Sequence, residues 1–321
     1  MQTIVLIPVK NESWILENTL QNLTPHIDYV IIADQGSTDN TLEICNKFEN
    51  VKVINNPYQG HSNKVRWLLL DEARKIGQNN LIFCIDADEI IPPESISYIK
   101  KLIDTSKAGI GDVFKFRWIQ LYKSLDTYRN DGVWKNSYKN IAFIDNPIVN
   151  EYKKDFVIND HTSRVPDTDI QNEILVPYPL IHFHFLATKR NQLKQAWYRC
   201  CELIDGKRNA KRINNTYRVT LPNSNIKVFD VDKEWYKGLK LPQNLEDIVS
   251  EWHLEEIYSF FDKYGIIFFE DLQIWHILEL KEIFVKRIGR NPISKVYPKL
   301  LSALNEIKNK LKLKWIYYLK S

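Results

Sequence analysis

The sequence predicts an α/β protein with a mostly parallel sheet covered by helices on both faces, followed by a helical C-terminal extension. Three observations carry this. Short apolar runs recur at residues 3–7, 29–33, 51–54 and 81–85. Segments with helical periodicity separate them. The runs are apolar throughout rather than alternating, as strands buried on both faces are.

The first run ends at Pro8, and Asn11 is placed to cap a helix carrying Ile15, Leu16, Leu20 and Leu23. After the second run, Ser37 or Asp39 can cap a helix with Leu42, Cys45 and Phe48 on one face. Residues 62–76 read as a third helix, with Val65, Leu68, Leu69, Ala73 and Ile76 on one face. Residues 113–119 and 180–185 read as later strands, and residues 131–140 as a polar, aromatic loop. Helices are expected at 187–203, 245–264, 270–288 and 293–320. Right-handed crossovers between parallel strands bring 8–12, 34–37 and 86–89 to one sheet edge, where ligands of open α/β sheets bind.

Composition narrows the class. The chain has 321 residues and 44% hydrophobic content, enough for two domains or one with a large extension. Its net charge of +4 is mild, and a nucleic-acid partner is not expected. The four cysteines form no C-x-x-C pair, which disfavours structural zinc and fits reduced thiols in a cytoplasmic protein. The N-terminal run lacks a basic leader and a cleavage site, so no signal peptide is expected. No apolar stretch reaches the roughly 18 residues that a transmembrane helix needs.

The chemistry concentrates in Asp86-Ala87-Asp88-Glu89, directly after the fourth strand. Carboxylates beside a buried strand are costly unless compensated, and Mg²⁺ or Mn²⁺ would compensate them. A solvated acidic turn is the plain alternative. A Walker B strand would need a G-x-x-x-x-G-K-[ST] loop, which is absent. An aspartyl phosphatase would carry its Asp-x-Asp near the N-terminus, followed by Thr. Asp34, at the end of the second strand, could accept hydrogen bonds from a base or ribose. A strand–turn–helix junction explains Gly36, Ser37 and Asp39 without requiring Asp34. Lys64 and Arg66, leading into the third helix, could meet phosphate.

Pro8-Val9-Lys10-Asn11-Glu12, then Asp34-Gln35-Gly36-Ser37-Thr38-Asp39-Asn40-Thr41, then Asp86-Ala87-Asp88-Glu89 resemble the family 2 glycosyltransferases of the GT-A fold. The likeness spans residues 3–95 and looks closest to the bacterial lipopolysaccharide core and capsule branch. It implies residues 1–190 as a nucleotide-sugar-binding and catalytic domain, and 191–321 as the mainly helical extension. It implies that Pro8, Lys10 and Glu12 line the nucleotide pocket and that Asp34 contacts the base. Asp86 would face the ribose or the metal, and Asp88 would ligate it. The implied partners are a UDP- or GDP-sugar donor and a glycan or lipid-linked acceptor. The implied cofactor is Mn²⁺ or Mg²⁺.

His182 and His184 share one face of their strand. The resemblance implies a further metal ligand after the second half of the sheet, and His184 is favoured for it; two half-buried histidines satisfied by backbone are the equal alternative. An inverting transfer needs a base for the acceptor hydroxyl. Where relatives often carry His-Glu, this chain has His161-Thr162, so Asp160, His161, Asp169 and Glu173 all stand as candidates.

At the end of the chain, Leu300, Leu304, Ile307, Leu311, Trp315 and Tyr318 form a stripe surrounded by lysines. Packing on the transferase domain or on a second copy is slightly favoured. Peripheral contact with the inner face of a membrane is the alternative. Two other functions remain. A sugar-phosphate nucleotidyltransferase would need a Gly-rich loop where Pro8–Glu12 has no glycine. A non-catalytic glycan-binding scaffold would not need an intact Asp-Ala-Asp.

Overall fold

A computed structural model of the protein describes residues 1–58, 64–147, 164–166, 171–221, 226–245 and 247–293. The chain opens with β1 (Thr3–Val9), α1 (Ser13–Leu23), β2 (Tyr29–Asp34), α2 (Thr41–Cys45), β3 (Val51–Asn55), α3 (Lys64–Arg74) and β4 (Leu81–Cys84). Strands β3, β2, β1 and β4 pair in that order, all parallel. The two-residue strand period separates the two cores. Val5, Ile7 and Val9 of β1 pack with Leu16, Leu20 and Leu23 of α1. Ile4 and Leu6 pack on the other face with Val65, Leu69, Leu70 and Ala73 of α3. Burial on both faces is why these strands read as unbroken apolar runs.

The sheet is then extended by β5 (Glu89–Ile90), α4 (Pro93–Asp104), β6 (Val113–Tyr122), β7 (Ser124–Arg129), β8 (Tyr138–Ile144), β9 (Glu173–Leu175) and β10 (Leu180–Phe185). β8 runs antiparallel to both β4 and β6, so β6 points the same way as the parallel strands. The ten residues of β6 bridge two halves. Its start pairs with β8 and β9, and its end with β7 and β10. β10 is held between β6, parallel, and β5, antiparallel.

The remaining elements are α5 (Thr188–Asp205), α6 (Ala210–Thr216), β11 (Val228–Asp230), α7 (Glu251–Tyr264) and α8 (Leu278–Ile288). β11 adds antiparallel to β7 at the sheet edge. One compact unit comprises Met1–Gln192 and Leu221–Trp252. A second comprises Leu193–Thr220 and the described residues from His253 on, with its own core of Leu193, Ile257, Phe261, Phe269, Leu280 and Phe284. No described helix is long and apolar enough to cross a membrane.

Several expectations are corrected. Residues 138–140 belong to β8 rather than to a loop, because their neighbours Ile141 to Ile144 are buried against β4 and β6. The helix expected over 270–288 starts only at Leu278. Before it, Trp275 Nε1 donates to the Glu270 carbonyl at 2.9 Å, and Leu272, Ile274 and Trp275 are buried from turns. Apolar spacing in so aromatic a stretch is met by a turn as well as by a helix. The helix expected over 245–264 likewise starts at Glu251. The tail expected to be helical lies outside the described residues beyond Ile293.

Candidate active site

The strand ends meet as the topology requires. Asn11, in a left-handed conformation at φ 54°, turns the chain from β1 into α1. Its backbone N–H donates to Ser37 Oγ at 2.8 Å, and its side-chain oxygen accepts from the Thr38 N–H at 2.7 Å. The loops after β1 and β2 are thereby clamped together. Asp34 is buried and accepts from the backbone N–H groups of Gly36 and Ser37, both at 3.1 Å, and from the Ser37 hydroxyl. The junction therefore does employ Asp34, as the acceptor that shapes its turn, contrary to the sequence expectation. Glu12 is ion-paired to Arg190 at 2.8 Å, and Trp14 Nε1 also donates to it. Lys10 lies 5.4 Å from the Trp252 ring centroid, and Lys64, exposed, 5.9 Å from that of Tyr58. Pro8 lies within β1, opposite Ala33 of β2.

Asp86 and Asp88 have separate environments. The Asp86 carboxylate is gripped from two sides, by Arg66 at 2.7 Å and Arg164 at 2.6 Å. Partial burial works against its ionisation, but Arg164 and then Arg66 outweigh this and hold it well below the usual carboxylate range. Arg164 also pairs with Glu89, which is fully buried. Glu89 further accepts from Trp118 Nε1 at 2.8 Å and from the Asp86 backbone N–H at 2.9 Å. Two arginines and two carboxylates thus balance each other's charge. Lys139 sits beside them, its ammonium 3.7 Å from the Trp118 ring centroid. Burial first, and Arg164 second, push this amine down to about 8.

That displacement has a measurable sign. Between about pH 8 and the ordinary lysine value near 10.4, the unfolded chain holds a proton that the folded chain releases. Stability then rises with pH across the window. Urea midpoints of wild type and Lys139→Met should diverge there, with the wild type gaining relative to the variant as pH increases. Parallel pH profiles would contradict the assignment.

Asp88 faces β10 instead. Its carbonyl accepts from the Phe183 N–H at 2.9 Å, pinning the acidic loop to the strand that carries both histidines. His182 Nε2 lies 3.1 Å from Asp88 Oδ1, and His184 Nδ1 lies 3.7 Å from Oδ2. The two imidazoles stack at 5.3 Å between centroids. One ligand atom from each of the three side chains falls within 4.8 Å of the others. Gln120 of β6 presents its amide oxygen 2.7 Å from His182 Nδ1, so Nδ1 is the donor. In the neutral ring, the Nε2 lone pair then points at a carboxylate oxygen. Two such donors sit together only with a proton or cation between them, and one carboxylate plus two imidazoles suits a divalent metal.

The structure divides the expected site residues. Asp88 and His184 come together, joined by His182, while Asp86 stands apart with its two arginines. Glu173 is corrected as a candidate base. It pairs with Val113 at the far end of β6, seven residues from Gln120 and so roughly 23 Å away along the strand. There it is half-exposed and bonded to Lys115 and Asn140. Asp160, His161 and Asp169 lie outside the described residues. Sequence reasoning missed Arg164, Gln120, Arg190 and Lys139, none of which carries a local signal.

The family model described as glycosyl transferase family 2 matches residues 4–195, more than half of the chain. The chain belongs to that family. Among solved structures it is similar to S. aureus TarS 1–349, at 13% identity over 89% of this chain and 87% of that one, with a TM-score of 0.42. It is also similar to glucosyl-3-phosphoglycerate synthase from Mycobacterium tuberculosis, solved with Mn²⁺, uridine diphosphate and glucosyl-3-phosphoglycerate. That match has 21% identity over 35% of this chain, with a TM-score of 0.28, and spans only 43% of the synthase. A further match is 4-diphosphocytidyl-2C-methyl-D-erythritol synthase, at 17% identity over 44% of this chain and 73% of that one, with a TM-score of 0.31. No curated protein matches the sequence.

Proposed function

We propose that the chain is a metal-dependent, inverting glycosyltransferase that moves a sugar from a UDP- or GDP-sugar to a glycan or lipid-linked acceptor of surface polysaccharide synthesis. Residues 1–190 are assigned the catalysis. The observation that carries this reading is the Asp88–His182–His184 cluster at the carboxyl edge of the parallel strands, in a chain of this family. Asp88 and the two histidines would hold Mn²⁺ or Mg²⁺, which when bound neutralises charge on the departing nucleoside diphosphate. Asp86, fixed by Arg66 and Arg164, offers a rigid acceptor suited to ribose hydroxyls. Asp34 and Glu12 border the same edge beside β1.

Thermal-shift titration with UDP, GDP, CDP and ADP, each with and without Mn²⁺, tests the proposal. One nucleotide should raise the melting temperature in a metal-dependent way, and the matching nucleotide-sugar should be hydrolysed or transferred. If no nucleotide shifts the melt with any divalent ion, the reading fails, and a glycan-binding scaffold becomes the better account.

A further inference from the structure

A row of rings runs past the histidine pair. The Trp118 and His182 rings stack at 5.3 Å between centroids, as do those of His182 and His184. Phe185 meets His184 edge-on at 4.9 Å, and Trp134 meets Phe185 edge-on at 5.3 Å. Strand phase puts the row on one face. Trp118, Gln120 and Tyr122 of β6 share a face, and Gln120 bonds to His182. Strict alternation would send Phe185 to the other side of β10. The register with β6 shifts after His182, however, and sets Phe185 against Tyr122. Arg129 of β7 is registered with Gln120 and shares the same face.

The two ends of the row differ. Trp118 donates to Glu89, which also holds Arg164, so that end belongs with Asp86. Trp134 closes the other end, in the turn between β7 and β8. Asp34 lies further still from it, because β7 and β6 sit on one side of β4 in the sheet order and β1 and β2 on the other. Trp134 is partly exposed, and the Arg129 guanidinium lies 4.0 Å from its ring centroid. Arg129 is itself fully buried and held by both carboxylate oxygens of Asp131, at 2.9 and 2.8 Å. A bidentate pair fixes the guanidinium plane, and that plane orients the indole stacked on it. The Trp134 indole N–H and the Tyr122 hydroxyl bond to no other described residue. A flat ring held on one face, with polar groups at its edge, suits the apolar C–H face and hydroxyl rim of a sugar ring.

We propose that Trp134, oriented by Arg129 and flanked by Phe185 and Tyr122, is a stacking platform for a pyranose ring of the acceptor, so that the chain selects sugar-ring acceptors over acyclic polyols and their phosphates. Calling the ligand an acceptor rests on the glycosyltransferase reading, in which base and ribose fall to the Asp34 and Asp86 end; the platform itself does not.

Saturation-transfer difference NMR on the full chain tests this. The probes are methyl β-glucopyranoside and methyl β-galactopyranoside, with ribitol and glycerol 3-phosphate as acyclic controls. Each is measured alone and with Mn²⁺ plus UDP or GDP, which fills the donor side. Saturation should reach the ring C–H protons of at least one pyranoside and neither control. Trp134→Ala should weaken pyranoside binding by about 10-fold, and Trp134→Phe, which keeps a smaller flat face, should retain part of it. Circular dichroism and melting identify any unfolded variant, and if Trp134→Ala unfolds, the weakening is read from Trp134→Phe. Nucleotide binding, followed by thermal shift, should be the same in Trp134→Ala as in wild type.

Equal saturation of the acyclic controls overturns the proposal, as does no saturation of either pyranoside under any loading. So do folded Trp134 variants that bind the pyranosides as wild type does. Pyranoside binding that depends on Trp134, in a chain that binds no nucleotide, keeps the platform and removes the glycosyltransferase reading. Metal-dependent nucleotide binding without pyranoside contact at Trp134 keeps that reading and removes the platform.

Discussion

Asp88→Asn is expected to abolish sugar transfer while leaving the fold intact. Asp88 contributes the only carboxylate among the three clustered side chains, and its own backbone carbonyl, not its side chain, ties the loop to Phe183. Asparagine keeps that backbone bond and the side-chain volume but removes the negative charge. A divalent ion contributes several kcal/mol of charge stabilisation at a leaving diphosphate, so kcat/KM should fall on the order of 10³-fold. The melting temperature without metal should stay close to that of wild type, because asparagine keeps the backbone bond and the side-chain volume. Unchanged kcat/KM in Asp88→Asn would remove Asp88 from the reaction.

Arg164→Leu should do the opposite and damage the fold first. Arg164 is buried and bridges Asp86 to Glu89, and Glu89 has no exposed surface. Removing one partner of a buried ion pair typically costs about 3–5 kcal/mol, because the other charge stays buried without compensation. The melting temperature should drop by about 10 °C. Combining Arg164→Leu with Glu89→Gln should recover part of that loss, and the coupling between the two is read from a double-mutant cycle. The pH dependence follows from the lowered carboxyl of Asp86. Its contribution is present above the unfolded value near 3.9 and is lost as pH falls through the lower folded value. The variant should therefore lose less stability on acidification than wild type. A single-mutant cost below about 1 kcal/mol would mean that the guanidinium is dispensable.

The half of the molecule legible in the sequence is the half made of local signals. β1 to β4 and α1 to α3 announce themselves because strands buried on both faces and amphipathic helices leave clear periodicities. The Asp86–Asp88 loop and the His182/His184 face were readable for the same reason, since each lies within one short element. What could not be read depends on separation. Arg164 meets Asp86 across 78 positions of sequence, and Gln120 meets His182 across 62. A lone arginine or glutamine carries no pattern that reveals such a partner. Glu173 illustrates the converse error. It was drawn in by its position in the chain, yet β9 enters the sheet at the opposite end of β6. Asp34 shows a third case: it accepts from the Gly36 and Ser37 N–H groups of its own turn, a local role that its residue type did not announce.

The alternation of β10 has a consequence for how such a centre can be gained or lost. His182 and His184 face Asp88, while Ile181 and Phe183 pack with Ile90, Ile119 and Leu121. The strand's pairing with β6 is regular from Leu180 to His182 and shifts before Phe185. One residue inserted ahead of His182 would invert that arrangement, turning both imidazoles into the apolar core and two large hydrophobes towards the carboxylate. Composition would barely change, and every ligand would still be encoded. The proposed metal centre would therefore be a property of strand phase as much as of residue identity, and a single-codon insertion would delete it without altering any of its members.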